Sequence, residues 1–106
     1  MELVDARGRD EAARIARRAE EEAVRIERKL SRYREGSVVW EINRNAGRTP
    51  VAVDEETDAL VAAALDLAER TRGRFDPTVG VLRRAWDFGS GRIPSHAEID
   101  TLLPLV

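Results

Sequence analysis

The chain has 106 residues, enough for one small domain, and folding at this size buries only about 60–65% of the surface that the unfolded chain exposes. Charged residues make up 36%, with 18 basic against 20 acidic side chains and a net charge of −2. This balance argues against a nucleic-acid-binding protein, which collects a basic excess on one face. The absence of cysteine excludes disulfides, zinc–thiolate sites and cysteine nucleophiles.

Two further classes are excluded by the distribution of apolar residues. No apolar run approaches the roughly 20 residues that a membrane span needs. Residues 1–10, MELVDARGRD, lack the apolar stretch of a signal peptide. As written, the chain is therefore expected to be soluble and cytoplasmic.

The first third of the chain predicts one long helix. Residues 1–4 resemble the tail of a strand, and Asp10 is expected to cap a helix that ends near Leu30. The apolar side chains of this helix are spaced alternately by four and three residues and form one stripe: Ala12, Ala16, Ala19, Ala23, Ile26 and Leu30. The stripe either packs on a parent domain or pairs with a coiled-coil partner. Its alanine content and its length of fewer than three heptads favour packing.

The middle of the chain predicts a short helix followed by a strand. Ser37 is expected to cap the helix VVWEIN, which ends between Asn43 and Gly47. Residues 50–53, Pro-Val-Ala-Val, alternate briefly and suggest an edge strand with proline at its start.

The second half predicts three helices. Asp54 caps a helix through about Arg70, and Gly73 is the expected left-handed residue that closes it. The side chains expected to face inward are Leu60, Val61, Ala64, Leu67 and Ala68. Asp76 and Pro77 suggest the N-cap and first position of the next helix. Its expected apolar side carries Val79, Leu82, Ala85, Trp86 and Phe88.

The last predicted helix begins with a capping box. Ser95 is its expected N-cap and Glu98 its N3 residue. His96, the single histidine, falls in the first turn and is expected at the surface.

The chain carries no GxGxxG, P-loop, HExxH or GxSxG motif. The part most informative about function is segment 73–80, GRFDPTVG. One helix ends and another begins here, so free backbone N–H groups favour a phosphate, with Arg74 as a forked donor and Thr78 as a hydroxyl. Asp76 opposes this interpretation because a capping carboxylate occupies the anion position. A capped helix start with Phe75 in the core is equally compatible with the residues.

The same segment carries a family resemblance. GRFDPTVG, followed by WDFG at residues 86–89, resembles the GxFDPTVGPL…WGFG signature of the FAD:protein FMN transferases, the ApbE family. The other matching segments follow in the family's order: residues 30–43 with its LSxYxxxSxxxxIN stretch, 51–53 with PVxVS, 71–73 with a T-G-G turn and 93–99 with PSxxEI. Arg72 departs from the pattern because a second glycine is common there, and Val81 because proline is usual.

The resemblance implies a fold and a domain. The family fold is α+β, and this piece of it is expected to be mostly α-helical with one or two short strands. Residues 1–106 would form the N-terminal part of a single flavin-transferase domain. That domain would be incomplete here, because the family's metal-binding part lies beyond Val106.

The resemblance also implies an activity. Enzymes of this family move FMN from FAD to a threonine of a target flavoprotein and release AMP, with magnesium, and typical targets are subunits of flavin-dependent electron-transfer complexes. The FAD contacts fall on Tyr33, Arg74, Phe75 and Asp76. Neither a catalytic residue nor a magnesium ligand falls in this portion, and the 106-residue piece alone is expected to be inactive. The family is often exported, so an upstream leader would make the protein periplasmic or membrane-anchored.

A second hypothesis stays open beside the transferase. The chain would then be a catalytically incompetent, stand-alone helical module that binds a protein partner, or a second copy of itself, through its apolar ends. The reading frame beyond Val106 distinguishes the two, because a transferase continues there with glycine-rich strands and metal-binding Asp and Thr residues.

Overall fold

A computed structural model describes residues 6–106, so the strand expected at residues 1–4 lies outside the described part. The chain divides into two compact units, Met1–Val53 and Asp54–Val106. The α-helices are α1 (Ala6–Leu30) and α2 (Val38–Asn45) in the first unit, and α3 (Glu55–Arg70) and α4 (His96–Leu102) in the second. Two 3₁₀ helices, Val79–Arg84 and Leu103–Leu105, complete the second unit. The expectation of a mostly helical chain is confirmed.

The strand expected at residues 50–53 is wrong, because this segment has no regular structure. The β-pairing found among residues 6–106 is one isolated antiparallel bridge between Asp87 and Arg92. An edge strand needs a neighbouring strand to receive its hydrogen bonds, and the unit Met1–Val53 offers residues 50–53 none in its described part.

Helix α1 begins earlier than expected. It starts at Ala6, so Asp10 lies inside the helix and is not its N-cap. Ala6, Arg7 and Arg9 are good helix formers and extend the helix upstream of Asp10 in spite of Gly8. The predicted stripe is exposed from Ala12 to Ala23, whereas Ile26 and Leu30 are half-buried at the end of α1, and α1 contacts α2.

The turn between α1 and α2 is locked by Ser37. The Ser37 hydroxyl accepts a hydrogen bond from the Trp40 N–H at 3.1 Å, which confirms the predicted cap. The same hydroxyl donates to the Ser31 carbonyl oxygen at 2.5 Å, and Ser37 is only 2% exposed. One buried side chain therefore both starts α2 and closes the 31–37 turn.

Helix α3 begins at the predicted cap. Asp54 Oδ1 accepts hydrogen bonds from the N–H of Thr57 at 3.4 Å and from its hydroxyl at 2.5 Å. Thr57 is 1% exposed whereas Asp54 is exposed, so the threonine side of this capping pair is shielded from water.

The end of α3 is a Schellman closure that uses two left-handed residues. The Gly73 N–H donates to the Ala68 carbonyl at 2.9 Å, and the Arg72 N–H donates to the Glu69 carbonyl at 3.0 Å. Gly73 has φ +76°, as expected, but Arg72 precedes it with φ +54°. The left-handed position next to the helix is thus held by an arginine.

The side chains expected to face inward from α3 are largely exposed, so that prediction is wrong. Leu60, Val61 and Leu67 are 50%, 42% and 43% exposed, while Ala64 and Ala68 are half-buried. A helical period identifies an apolar face but not the element that covers it. Within this unit α4 packs on the 3₁₀ helix Val79–Arg84, near the buried side chains of Ala85 and Pro94.

The prediction of an α-helix that begins after Asp76 is also wrong, both in the type of helix and in its first residue. A turn at Pro77 and Thr78 leads into the 3₁₀ helix Val79–Arg84 instead. Of the expected apolar side, Ala85 is buried and Leu82 and Trp86 are half-buried, whereas Val79 is 49% and Phe88 74% exposed.

The predicted capping box of α4 is confirmed. Ser95 Oγ accepts from the Glu98 N–H at 3.3 Å, and Glu98 Oε2 accepts from the Ser95 N–H at 2.8 Å. His96 is exposed, as expected.

Candidate functional site

Tyr33 lies at the turn between α1 and α2 and is 73% exposed. The Arg32 guanidinium lies 4.7 Å from the centre of the tyrosine ring, and its Nη2 donates to the Tyr33 hydroxyl at 2.9 Å. The backbone below is fixed by the Tyr33 N–H, which donates to Ser31 Oγ at 3.3 Å. An oriented and accessible aromatic ring of this kind suits stacking on a flat ligand.

The other three predicted site residues lie together on the loop that follows α3. Thr71 organises this loop because its hydroxyl oxygen accepts from the Phe75 N–H at 3.0 Å and lies 3.3 Å from the Ala68 carbonyl, to which it donates. The Arg74 N–H donates to the Thr71 carbonyl at 3.2 Å. The loop is therefore ordered by its own backbone and one threonine.

Asp76 is held by Thr78. Its Oδ1 accepts from the Thr78 N–H at 2.8 Å and from the Thr78 hydroxyl at 2.6 Å. These bonds to the charged form, the hydroxyl first, lower the pKa of Asp76 below its ordinary value. Asp76 is therefore a carboxylate at neutral pH, and Thr78 supports the loop.

This geometry fully supports neither of the two interpretations that the residues left open. Asp76 takes the N–H that a phosphate would need, so the start of the 3₁₀ helix is not a vacant anion site. Phe75 is 41% exposed, so the alternative that places Phe75 in the core is also wrong within this unit. Of the three predicted site residues on this loop, Arg74 and Phe75 are exposed and Asp76 is half-buried.

The WDFG segment forms a second ordered feature of the unit. The rings of Trp86 and Phe88 are stacked, with centroids 6.2 Å apart and planes inclined by 14°. Asp87 Oδ1 accepts from the Gly89 N–H at 3.0 Å, and the Ser90 hydroxyl donates to the Asp87 carbonyl at 3.2 Å. The exposed Phe88 is thus presented on a closed turn.

A known family and several named proteins are similar to this chain over most of its length. A sequence profile of the ApbE family matches residues 2–106. The chain belongs to the ApbE family. No solved structure matched this chain.

Characterised relatives of this ApbE family chain share one name. It is 38% identical to the FAD:protein FMN transferase of Treponema pallidum over 63 residues, which are 59% of this chain and 17% of the relative. It is 36% identical to that of Salmonella typhimurium over 75 residues, 67% of this chain and 21% of the relative. It is 32% identical to that of Escherichia coli K12 over 77 residues, 69% of this chain and 22% of the relative. The chain thus spans about a fifth of the length of these relatives.

Three features of this ApbE family chain were missed by the sequence patterns. The hydroxyl of Thr71 organises the loop, a role that a threonine just after a helix end could have signalled. Arg72 takes the left-handed position that the sequence assigned only to Gly73. Arg92 joins Ala85 to α4, since its guanidinium donates to Glu98 Oε1 at 2.8 Å and to the Ala85 carbonyl at 3.3 Å. No spacing rule reveals a contact of this last kind.

Two negative findings apply to residues 6–106. No group of three or more His, Asp or Glu side chains in this range is arranged to hold a metal ion. None of the helices in this range combines the length and apolar character needed to cross a bilayer.

Proposed function

We propose that this chain is the N-terminal part of an FAD:protein FMN transferase that moves FMN from FAD to a threonine of a target flavoprotein. The observation that carries the proposal is the family match, which extends over residues 2–106. The named relatives support the same activity. The α+β fold of the whole domain and its magnesium ion belong to this proposal, with the magnesium ligands outside this chain.

Tyr33 is proposed to contact the flavin nucleotide through its ring. Its exposure leaves most of the ring available, and Arg32 fixes its orientation before a ligand arrives. A pre-oriented aromatic side chain loses little conformational entropy when it stacks on a ligand ring.

Arg74, Phe75 and Asp76 are proposed to contact FAD from the loop after α3. Both intramolecular hydrogen bonds of the Asp76 carboxylate go to Oδ1, and Oδ2 accepts none from any residue in the described part of the chain. Asp76 can therefore hold the loop through Oδ1 and accept a hydrogen bond from the nucleotide through Oδ2. Arg74 supplies charge, and Phe75 supplies an exposed aromatic surface.

The proposed reaction is a phosphoryl-type transfer. The threonine oxygen of the target attacks the phosphorus on the riboflavin side of the FAD pyrophosphate, and a new P–O bond forms. The bond from that phosphorus to the bridging oxygen breaks, and AMP leaves with the bridging oxygen. The threonine proton passes to solvent or to a base outside this chain. The residues described here bind and orient FAD for this displacement.

The proposal is tested by incubating the protein encoded by the full reading frame with FAD, Mg²⁺ and a subunit of a flavin-dependent electron-transfer complex. Flavin fluorescence that stays with the target after denaturing electrophoresis is the expected result. Replacing FAD by riboflavin is the control, because riboflavin carries no pyrophosphate. A target that stays non-fluorescent in the presence of FAD would contradict the proposal.

The alternative function, a helical module that binds a partner or a second copy, has one observation in its favour. Leu103, Leu105 and Val106 are 50%, 56% and 41% exposed. The alternative function predicts that the chain associates in a concentration-dependent way and that Leu105→Glu abolishes this association. Sedimentation velocity measures both.

A further inference from the structure

Arg72 and Arg74 flank the glycine of the α3 closure, and both are exposed. Neither guanidinium forms a hydrogen bond or an ion pair with any residue in the range 6–106. Arg70, two residues earlier, differs because it lies 3.5 Å from Asp66 in an ion pair along the helix. Asp76 forms no ion pair with either arginine, since the hydrogen bonds of its carboxylate go to Thr78. The loop therefore carries two exposed guanidinium groups that are engaged in no ion pair within the range 6–106.

The backbone at Arg72 makes its presence unusual. At φ +54° the β-carbon of an L-residue crowds the following carbonyl oxygen, a strain that glycine avoids. Strained backbone of this kind occurs preferentially at ligand-binding sites. The neighbouring Gly73 leaves free space, because a β-carbon built there would meet no atom within 4 Å. The surface between the two arginines is thus open.

We infer that Arg72 is a phosphate-binding residue of the FAD site and that it holds the FAD pyrophosphate together with Arg74; this rests on the proposed function. The guanidinium presents a planar fork of N–H donors that matches two phosphate oxygens. The pyrophosphate carries two negative charges, which the two arginines balance. The exposed ring of Phe75 lies next along the chain and offers an aromatic surface to the same ligand.

Titrations of FAD and riboflavin against the protein from the full reading frame test this inference through flavin fluorescence. Arg72→Gln removes the charge, and Arg72→Gly removes both the charge and the strain. Both variants are expected to weaken FAD binding about 5- to 10-fold and to leave riboflavin binding within about 2-fold. Added salt should weaken FAD binding less in these variants than in the wild type. Arg70→Gln is the matched control and should bind both ligands as the wild type does.

The possible failures are distinguishable. Wild-type binding of FAD with equal binding by Arg72→Gln overturns this inference and leaves the proposed function intact. A parallel loss of FAD and riboflavin affinity also overturns it, because that result assigns Arg72 a structural role in the loop. A wild-type protein that binds neither flavin overturns the proposed function and this inference with it.

Discussion

At the scale of single residues, two adjacent left-handed positions decide how α3 ends. Glycine reaches this conformation freely, whereas other L-residues incur about 1–2 kcal/mol of strain. Gly73 fits the rule and Arg72 does not. The sequence indicated a left-handed closure at this point because glycine after a helix is a local signal. It could not indicate Arg72, because no rule of composition places arginine there.

The first prediction concerns separate substitutions at these two positions. Gly73→Ala should lower the free energy of unfolding by about 1 kcal/mol, and the effect should come from the backbone alone because the added β-carbon meets open space. Arg72→Gly should raise the free energy of unfolding by up to about 1 kcal/mol, because it removes the strain of the left-handed arginine. Part of this gain is offset because glycine gives the unfolded chain more conformational entropy. Urea denaturation followed by circular dichroism measures both. A stabilising Gly73→Ala would contradict the assigned conformation.

The second prediction concerns Asp76. Asp76→Ala removes both hydrogen bonds with Thr78, so the thermal midpoint should fall and FAD binding should weaken. Asp76→Asn loses the charge but keeps an acceptor oxygen, so its thermal midpoint should fall less than that of Asp76→Ala. Differential scanning fluorimetry and FAD titration separate the two effects. Unchanged FAD affinity in Asp76→Ala would restrict this residue to a structural role.

At the scale of elements, the cap signals were the most readable part of the sequence. Ser37, Asp54 and the Ser95–Glu98 box depend on contacts within three residues, and each was confirmed. Two other cap predictions, at Asp10 and Asp76, were wrong, and the remaining wrong predictions depend on partners that lie farther along the chain. Residues 50–53 needed a second strand, and the apolar face of α3 needed a covering element. A periodic pattern specifies neither.

The third prediction tests the buried cap of α2. Ser37→Ala removes an acceptor from the Trp40 N–H and a donor to the Ser31 carbonyl, so it should destabilise the protein by about 1–2 kcal/mol. Ser95→Ala is the matched control, because it removes a helix cap from an exposed position and should cost less. Chemical denaturation of both variants gives the comparison. Equal costs would show that the burial of Ser37 and its bond to Ser31 add nothing.

The fourth prediction follows from the start of α4. Hydrogen bonding by the Ser95 N–H, and then by Arg92, lowers the pKa of Glu98 from its ordinary value of 4.5 to about 2. A carboxylate whose folded-state pKa is lowered stabilises the protein above its unfolded pKa, and this contribution disappears as the pH falls through the folded pKa. The difference in thermal midpoint between wild type and Glu98→Gln should therefore be constant above about pH 5 and should shrink between pH 4.5 and 2. A difference that grows on acidification would contradict the assignment.

The candidate site was predictable to an unequal degree. Arg74, Phe75 and Asp76 are consecutive, so their common loop followed from the sequence once the end of α3 was recognised. The sequence did not indicate that Asp76 Oδ1 accepts both hydrogen bonds from Thr78 while Oδ2 accepts none within residues 6–106; this required the structure. The same is true of the exposed ring of Phe75, since an aromatic residue after a helix end is equally compatible with a core position.

At the scale of the whole molecule, the chain spans about a fifth of the length of its named relatives. The fifth prediction is that the isolated 106-residue chain binds FAD weakly or not at all, because under the proposed function most contacts with FAD would be made by residues outside this chain. Fluorescence titration of the purified chain tests this, with the protein from the full reading frame as the control. Micromolar, magnesium-dependent binding by the isolated chain would show that the site is more complete than we propose.

The transfer of FMN itself is tested most directly by intact and peptide mass spectrometry of the target flavoprotein. The target is incubated with the protein from the full reading frame, FAD and Mg²⁺, and AMP is measured in the same samples. The expected result is an FMN adduct on a threonine of the target and the release of one AMP for each adduct formed. An unmodified target, or an adduct formed without AMP, would contradict it.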